Sequence, residues 1–431
     1  MAPGLLADMR QLYTAAGYAP LWTTAAGWQP LAVEGLRLLA RAPEFGLLPA
    51  DYGCSSLSQL TDSLAMPAPP VRQLARRLRA DLALSRGLLL FSRHLRHGRV
   101  ESRPLPAFSA AGRFDAAAGL EQAHRRERLD VLLAQQPTNR SYVRLLWAWQ
   151  KMLRADTAAA RRWAPLVAIN LERLRWEPAA DSVYAVVNVP DYSLQIVRGP
   201  RVVRRFRVIV GEALTPTPEV YSAIRFFETS PEWRVPRSIA TGEILPQLRR
   251  NPAYLARNNF LLYDAKGSLV NPKGVNWKSV TVESFPYSIR QVACCDNALG
   301  NIVFRFPNPH DIFLHDTPTR ALFNKSGRAL SHGCIRLEKP LQLAVFLLRR
   351  DLADQPKRAQ RNVERMWDSV YGGYRQYFPL RYPMPIFIRY LTCEADGPEL
   401  RRLPDVYGRD EALRAAFFGR ALVAQEVSVG H

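Results

Sequence analysis

The apolar residues of this chain change their period near residue 180, and that change limits the folds open to it. Before it, Leu145, Leu146, Trp149, Met152 and Leu153 recur at the three- and four-residue spacing of one helical face. Leu74, Leu78 and Leu82 repeat every four residues with arginines between them, which reads as a second core-facing stripe. After it, residues 184–189, 193–197 and 202–210 follow a period of two, the last two runs joined by Arg198-Gly199-Pro200. One stretch is therefore expected to pack helices and the other to pair strands.

The fold class that follows is α+β, with a helical scaffold domain over 1–178 and a mainly β domain over 179–395. Residues 237–290 interrupt the β region. They are expected to form helices at 240–248 and 254–258 and a loop rich in Gly, Asn and Lys. Pro178-Ala179-Ala180-Asp181 marks the boundary, and Met384, Ile386 and Ile388 alternate as a final strand. Pro104 and Pro106 mark a loop, and residues 396–431 read as a tail that turns helical from Arg409. Tyr142, Trp147 and Trp149 could bind a ligand, but their helical spacing favours a core. A chain of 431 residues is long enough for two or three such cores.

Within the β region, residues 313–337 hold Phe313-Leu314-His315-Asp316-Thr317-Pro318 and, further on, Leu330-Ser331-His332-Gly333-Cys334-Ile335-Arg336-Leu337. His315 precedes Cys334 by nineteen positions (334 − 315). A thiol attacking a carbonyl needs a base for its proton and donors for the developing oxyanion. This stretch offers an imidazole, a thiol and, in Gly333, a residue small enough to let backbone N–H groups approach the reacting carbon. Asp311-Ile312-Phe313-Leu314 is short and β-prone, so His315 should end a strand. Turn signals at Thr317-Pro318 and Ser326-Gly327 bring the chain back, and Pro340 opens a helix. Three blander readings compete. Cys334 could be a small buried hydrophobe and His315 a satisfied strand-end histidine. His310, Asp311, His315, Asp316, His332 and Cys334 are also dense enough to raise a metal site. Neither Cys-x-x-Cys nor His-Glu-x-x-His spacing occurs, so no metal and no cofactor is expected.

These residues resemble the L,D-transpeptidases of bacterial cell-wall synthesis, whose signature places a His some fifteen to twenty residues before Ser/Thr-His-Gly-Cys. The likeness extends to Val187-Asn188-Val189-Pro190, Arg207-Val208-Ile209-Val210-Gly211, Trp233-Arg234-Val235-Pro236, Asp296-Asn297-Ala298-Leu299-Gly300, Phe306-Pro307-Asn308-Pro309-His310-Asp311 and Asp405-Val406-Tyr407-Gly408-Arg409-Asp410. Ala19-Pro20-Leu21-Trp22 and Gly46-Leu47-Leu48-Pro49-Ala50-Asp51-Tyr52 are similar to the helical scaffold of the long Gram-negative type. The resemblance implies that Cys334 attacks the amide before the terminal D-Ala of a peptidoglycan tetrapeptide stem. A thioester forms, and the side-chain amine of a second stem resolves it into a 3→3 cross-link. It implies His315 as base, Gly333 and Cys334 N–H groups as oxyanion donors, and Ser331, His332 and Arg336 shaping the site. Either the Asp316 side chain or a backbone carbonyl would orient His315. The 237–290 insertion would cap the groove, with Trp233 and Phe313 as walls or, equally, as core. Hydrolysis by an L,D-carboxypeptidase, attachment of a wall lipoprotein and a non-catalytic wall scaffold are the competing functions.

Two features depart from that pattern. Ser141-Tyr142-Val143-Arg144 runs into Asn170-Leu171-Glu172-Arg173 without room for the peptidoglycan-binding module that the long type carries. Cys294-Cys295 stands before Asp296 where Pro and Gly are expected. The formal net charge of +21 calls for an anionic partner or surface. No nucleic-acid motif accompanies it, so stem-peptide carboxylates and an anionic wall or membrane surface are the expected partners, with other wall-synthesis enzymes as further candidates. The five cysteines form no obvious framework, and a vicinal Cys294–Cys295 disulfide is not expected. Met1-Ala2-Pro3-Gly4-Leu5-Leu6-Ala7 lacks the basic start of an export signal; because the resemblance implies work outside the cytoplasm, the chain is expected to be a mature or trimmed periplasmic protein.

Overall fold

The computed structural model describes residues 3–100, 114–178, 182–293 and 296–419. The expectations for Pro104 and Pro106, for residues 179–181 and for the Cys294–Cys295 pair fall outside these. The fold is α+β and divides into two compact units, Met1–Ala180 with Leu391–His431, and Asp181–Tyr390.

The first unit is built on helices, including α1 (Pro70–His97), α2 (Arg140–Ala155) and α3 (Thr157–Arg175). Asn139 and Asp156 cap α2 and α3 by accepting the N–H groups of Tyr142 and Ala159. The buried face of α1 runs through Ala80, Leu84, Leu88, Phe91 and Leu95. Leu74, Leu78 and Leu82 are 45, 42 and 48% exposed, so the stripe expected to face the core lies outside it. Spacing identifies a face, but only packing decides which face of a 28-residue helix is covered. Tyr142 and Trp149 are core residues, whereas Trp147, which leaves the 142/145/149 face, is exposed beneath Lys151. From Leu391 onward the chain joins the first unit. Leu391, Cys393 and Phe417 are buried in one cluster with Leu166, Ile169 and Leu171 of α3, because their apolar side chains find cover there.

In the second unit, β1 (Val183–Asn188), β2 (Ser193–Arg198), β3 (Arg201–Gly211), β4 (Val220–Thr229), β5 (Ile302–Arg305), β6 (Leu314–His315), β7 (Ala329–Ser331), β8 (Ile335–Leu337) and β9 (Gln376–Arg389) share one sheet. Its order is β7-β3-β8-β6-β5-β4-β9-β1-β2, and β2 pairs back onto β3, so eight strands close on themselves. Closure leaves few unpaired backbone groups at an edge. Helices α4 (Pro340–Asp351) and α5 (Pro356–Tyr371) pack on each other, and Leu343, Leu347 and Met366 are fully covered. Val183 and Tyr184 pair in register with Arg198 and Val197 across the β1–β2 hairpin, and Gly199, at φ +53°, turns β2 into β3.

The insertion holds more structure than the sequence suggested. A π-turn at Ala240–Ile244 and a helix at Leu245–Arg250 replace the single expected helix. Three short strands, Trp233–Arg234, Ser288–Gln291 and Phe260–Tyr263, form a sheet of their own where a loop was expected. Ile244, Leu248, Leu255, Leu262, Trp277 and Ile289 give it a separate small core.

Candidate active site

The site grows out of the parallel pairing of β6 with β8, in which Leu314 lies beside Ile335 and His315 beside Arg336. Side chains alternate along a strand, so Leu314 and Ile335 share one face and are fully buried there. Phe313, His315, Cys334 and Arg336 fall on the other. The Ile335 N–H donates to the Phe313 carbonyl at 3.1 Å, which sets Cys334 beside Phe313. Cys334 and His315 are thus diagonal neighbours, about 8 Å apart at Cα from the ordinary strand spacing and rise. The His315 ring lies on that shared face and packs 5.7 Å from the Phe313 ring.

His315 is buried, and its Nδ1 meets the backbone carbonyl oxygen of Asp316 at 2.5 Å. Nδ1–H donates there, and in the neutral ring that tautomer leaves Nε2 its lone pair. Of the two orienters left open by the sequence, the carbonyl takes the role. The Asp316 carboxylate turns elsewhere, accepting from the Asn301 N–H at 3.0 Å and from Arg320 Nη2 at 2.9 Å. Gly300 makes room for it. A Cβ at that position would come within 2.6 Å of the Asp316 side chain, and φ is +60°.

Charge and burial set the protonation state. Burial holds the His315 pKa down at about 3, assisted by the Arg336 charge and opposed by the Asp316 carbonyl. Burial also pushes the Cys334 thiol up, against the opposing pull of Phe313 backbone, Arg305 and Arg336. Both shifts favour a neutral thiol beside a neutral imidazole. Arg336 is itself largely buried, and burial lowers its pKa. Its Nε has no partner, and among the described residues no carboxylate pairs with the guanidinium.

The loop before β8 is held from beneath. Ser331 Oγ donates to the Cys334 carbonyl at 2.5 Å and accepts the Gly333 N–H at a long 3.3 Å. Thr217 Oγ1 donates to the Gly333 carbonyl at 2.8 Å and accepts the Gly211 N–H at 2.8 Å. Gly333 adopts φ +109°, which suits glycine. A Cβ at Gly211 would stand 2.1 Å from the Thr215 carbonyl. Among the described residues, none accepts the Cys334 N–H. His332 turns outward, half exposed, with Nε2 2.8 Å from Glu243 Oε1 on the π-turn of the insertion.

A second line of contacts supports Phe313. Buried Glu228 accepts both Arg305 and Arg375, at 3.1 and 2.5 Å, and Arg305 lies 4.6 Å above the Phe313 ring centre. Trp233 pairs with Gln291 in the insertion's sheet, its ring 6.3 Å from Phe260, and no described contact joins it to Cys334 or His315. Sequence reading missed Thr217, Gly211's steric role, Glu228, Arg305 and Glu243. The run Thr215-Pro216-Thr217-Pro218 following Gly211 is the one local signal that could have marked the first two.

Residues 182–363 match the model of the YkuD L,D-transpeptidase catalytic domain, and residues 7–148 match a Scaffold domain. A Haemophilus influenzae protein carried under the name "Putative L,D-transpeptidase" is 35% identical over 250 residues, 58% of this chain and 49% of that protein. The chain therefore spans about half the length of that relative. Two solved structures, the Ldtfm-avibactam carbamoyl enzyme and an L,D-transpeptidase from Mycobacterium smegmatis, are each 12% identical. They cover 50 and 49% of this chain, and 51 and 60% of their own, at TM-scores of 0.23 and 0.20. Residues 182–363 are thus similar to the L,D-transpeptidase catalytic domain, and residues 7–148 to the Scaffold domain.

Proposed function

We propose that the protein is a periplasmic peptidoglycan L,D-transpeptidase that joins stem peptides through a thioester on Cys334. The observation that carries this reading is the arrangement of His315. Its Nδ1 is committed to a carbonyl, and its Nε2 is kept unprotonated on the face that bears the thiol. Cys334 Sγ attacks the carbonyl carbon of the amide before the terminal D-Ala of a tetrapeptide stem, and Nε2 takes the thiol proton as the C–S bond forms. Because thiol and imidazole both start neutral, that transfer accompanies attack. The Cys334 N–H is the leading donor to the oxyanion, with Gly333 N–H released from its long bond to Ser331 as the second. The C–N bond breaks, His315 returns the proton to the departing D-Ala amine, and the thioester remains. The amine of a second stem then attacks, His315 takes its proton, and the sulfur leaves to be reprotonated.

Arg336 supplies the remaining requirement of the donor. A largely buried guanidinium without a carboxylate is costly unless an anion completes it. The D-Ala carboxylate has the charge and planar geometry to do so. His332 and Glu243 link the nucleophile's loop to the insertion, and Phe313 walls the site beside His315. Trp233 would contribute only through the insertion.

Incubation with purified disaccharide-tetrapeptides, followed by mass spectrometry, tests the reading. Dimers cross-linked 3→3, with release of D-Ala, are the expected products. Tripeptides without dimers would mean that water is the acceptor and would replace the reading with L,D-carboxypeptidase. Unchanged tetrapeptides together with failure of a carbapenem to acylate Cys334 would leave a non-catalytic wall protein.

A further inference from the structure

A cavity of about 660 Å³ opens in the second unit among Arg198, Arg204, Phe346, Arg349, Arg350 and Trp367, floored by Leu341 and Val345. None of its lining residues belongs to the Cys334 site. Arg204 and Gly211 lie seven residues apart on β3, about 23 Å along an extended strand. Gly211 is the end that holds Thr217 and, through it, the nucleophile's loop.

The chemistry of the lining is selective. Four guanidinium groups converge from the β2–β3 hairpin and from α4, and among the described residues no acidic one lines the cavity. Arg204 donates to the Val203 carbonyl and Arg350 to the Tyr382 carbonyl, at 2.8 and 2.7 Å. The nearby acid Asp354 is occupied by Arg381 at 3.3 Å. Clustered arginines repel one another, and a ligand with several carboxylates relieves that repulsion through paired hydrogen bonds. Trp367 adds a flat apolar face, stacked on Tyr371 with ring centres 5.6 Å apart and planes 21° from parallel. Guanidinium groups beside an indole face suit a molecule that carries carboxylates at one end and a ring with an apolar face at the other.

We propose that this cavity is a second peptidoglycan-binding site, in which Arg198, Arg204 and Arg349 hold the free carboxylates of a stem peptide and Trp367 the face of its sugar. The proposal rests on the reading of the protein as a peptidoglycan enzyme. It also supplies a wall contact in a chain whose sequence leaves no room for a separate binding module between its helical and catalytic parts. A concave lining speaks against a membrane surface, which calls for apolar side chains that protrude. The volume lies in the range of small-molecule sites and suits a sugar ring with part of its peptide.

The test uses the full chain and its Arg204→Gln/Arg349→Gln double variant, with Trp367→Ala as a second variant. Binding to purified sacculi is read by co-sedimentation, and binding of a disaccharide-tetrapeptide by calorimetry on Cys334→Ala backgrounds. The double variant should bind sacculi about tenfold more weakly, with carbapenem acylation of Cys334 at the wild-type rate. Trp367→Ala should weaken the disaccharide-tetrapeptide but not the sugar-free tetrapeptide. Unchanged sacculus binding by the double variant would overturn the proposal. So would tighter binding of anionic vesicles or of an oligonucleotide to the same arginines. Loss of acylation in the wild type with arginine-dependent sacculus binding retained would sink the enzymatic reading and leave this site standing.

Discussion

The two units each bury a charged cluster, and the clusters are finished to different degrees. In the helical unit, Glu172 and Arg175 are fully covered and 3.3 Å apart. Glu172 also accepts the Val100 N–H at 2.6 Å, and Arg175 donates to the Phe45 carbonyl at 2.5 Å and lies over the Tyr142 ring. Each charge there has its opposite. In the β unit, Arg336 sits beside Cys334 and His315 with no carboxylate among the described residues, and the two titratable groups it faces are held neutral. A cluster completed by the chain itself supports the fold, whereas one that lacks an anion is open to a ligand that carries one, as proposed for Arg336.

Removing the proposed nucleophile or base gives the largest expected effect. Cys334→Ala should take up no carbapenem, and His315→Ala should be acylated about 10²–10⁴-fold more slowly with its fold intact, by stopped-flow and intact mass. Near-normal acylation of His315→Ala would mean that another group takes the proton. Glu172→Ala strands Arg175 and should cost about 3–5 kcal/mol in denaturant unfolding, while the folded fraction is acylated normally. If it unfolds no more easily than wild type, the helical cluster is not the completed one.

Arg336→Met should do the opposite. Thermal stability should hold or rise, because a charge without a partner is removed, while kcat/KM for tetrapeptide falls about tenfold. A marked loss of stability with unchanged kcat/KM would make Arg336 another structural cation. The smallest effect is expected from Asp316→Asn. The side chain anchors Asn301 and Arg320, so stability should drop by about 1–2 kcal/mol, with acylation within a few fold. A drop as large as that of His315→Ala would show that the carboxylate acts on the ring.

The pair proposed to react could be named from the sequence because its signals are local: a thiol after a glycine, a histidine ending a short strand, and turns between. The orienter of His315 was not, because a backbone carbonyl carries no residue identity. Glu228, Arg305 and Thr217 were hidden for a different reason. They reach the site through strand register, with Glu228 opposite Val303 and Thr217 under Gly333, and register over such separations is set by tertiary packing. The period change located the helical and β regions, and Met384, Ile386 and Ile388 are fully buried on β9 as their alternation required. The same reasoning misplaced Leu74, Leu78 and Leu82, since apolar spacing says nothing about what lies opposite. The strands of the insertion escaped because they are only two to four residues long.

The neutral state of the pair also links site to fold. His315 titrates near 3 in the folded protein, below its ordinary value of 6.5, so between those limits the unfolded chain binds the extra proton. Its contribution to stability is full above about pH 6.5 and is lost as the pH falls toward 3. The most direct measurement is the single-turnover rate of Cys334 acylation across pH 4 to 8, taken over the range in which circular dichroism shows the protein folded. A neutral imidazole that serves as base predicts no loss of rate on the acid side through protonation of His315 until well below pH 5. An acid limb with its midpoint between about 6 and 7, present in wild type and absent in His315→Ala, would contradict the account.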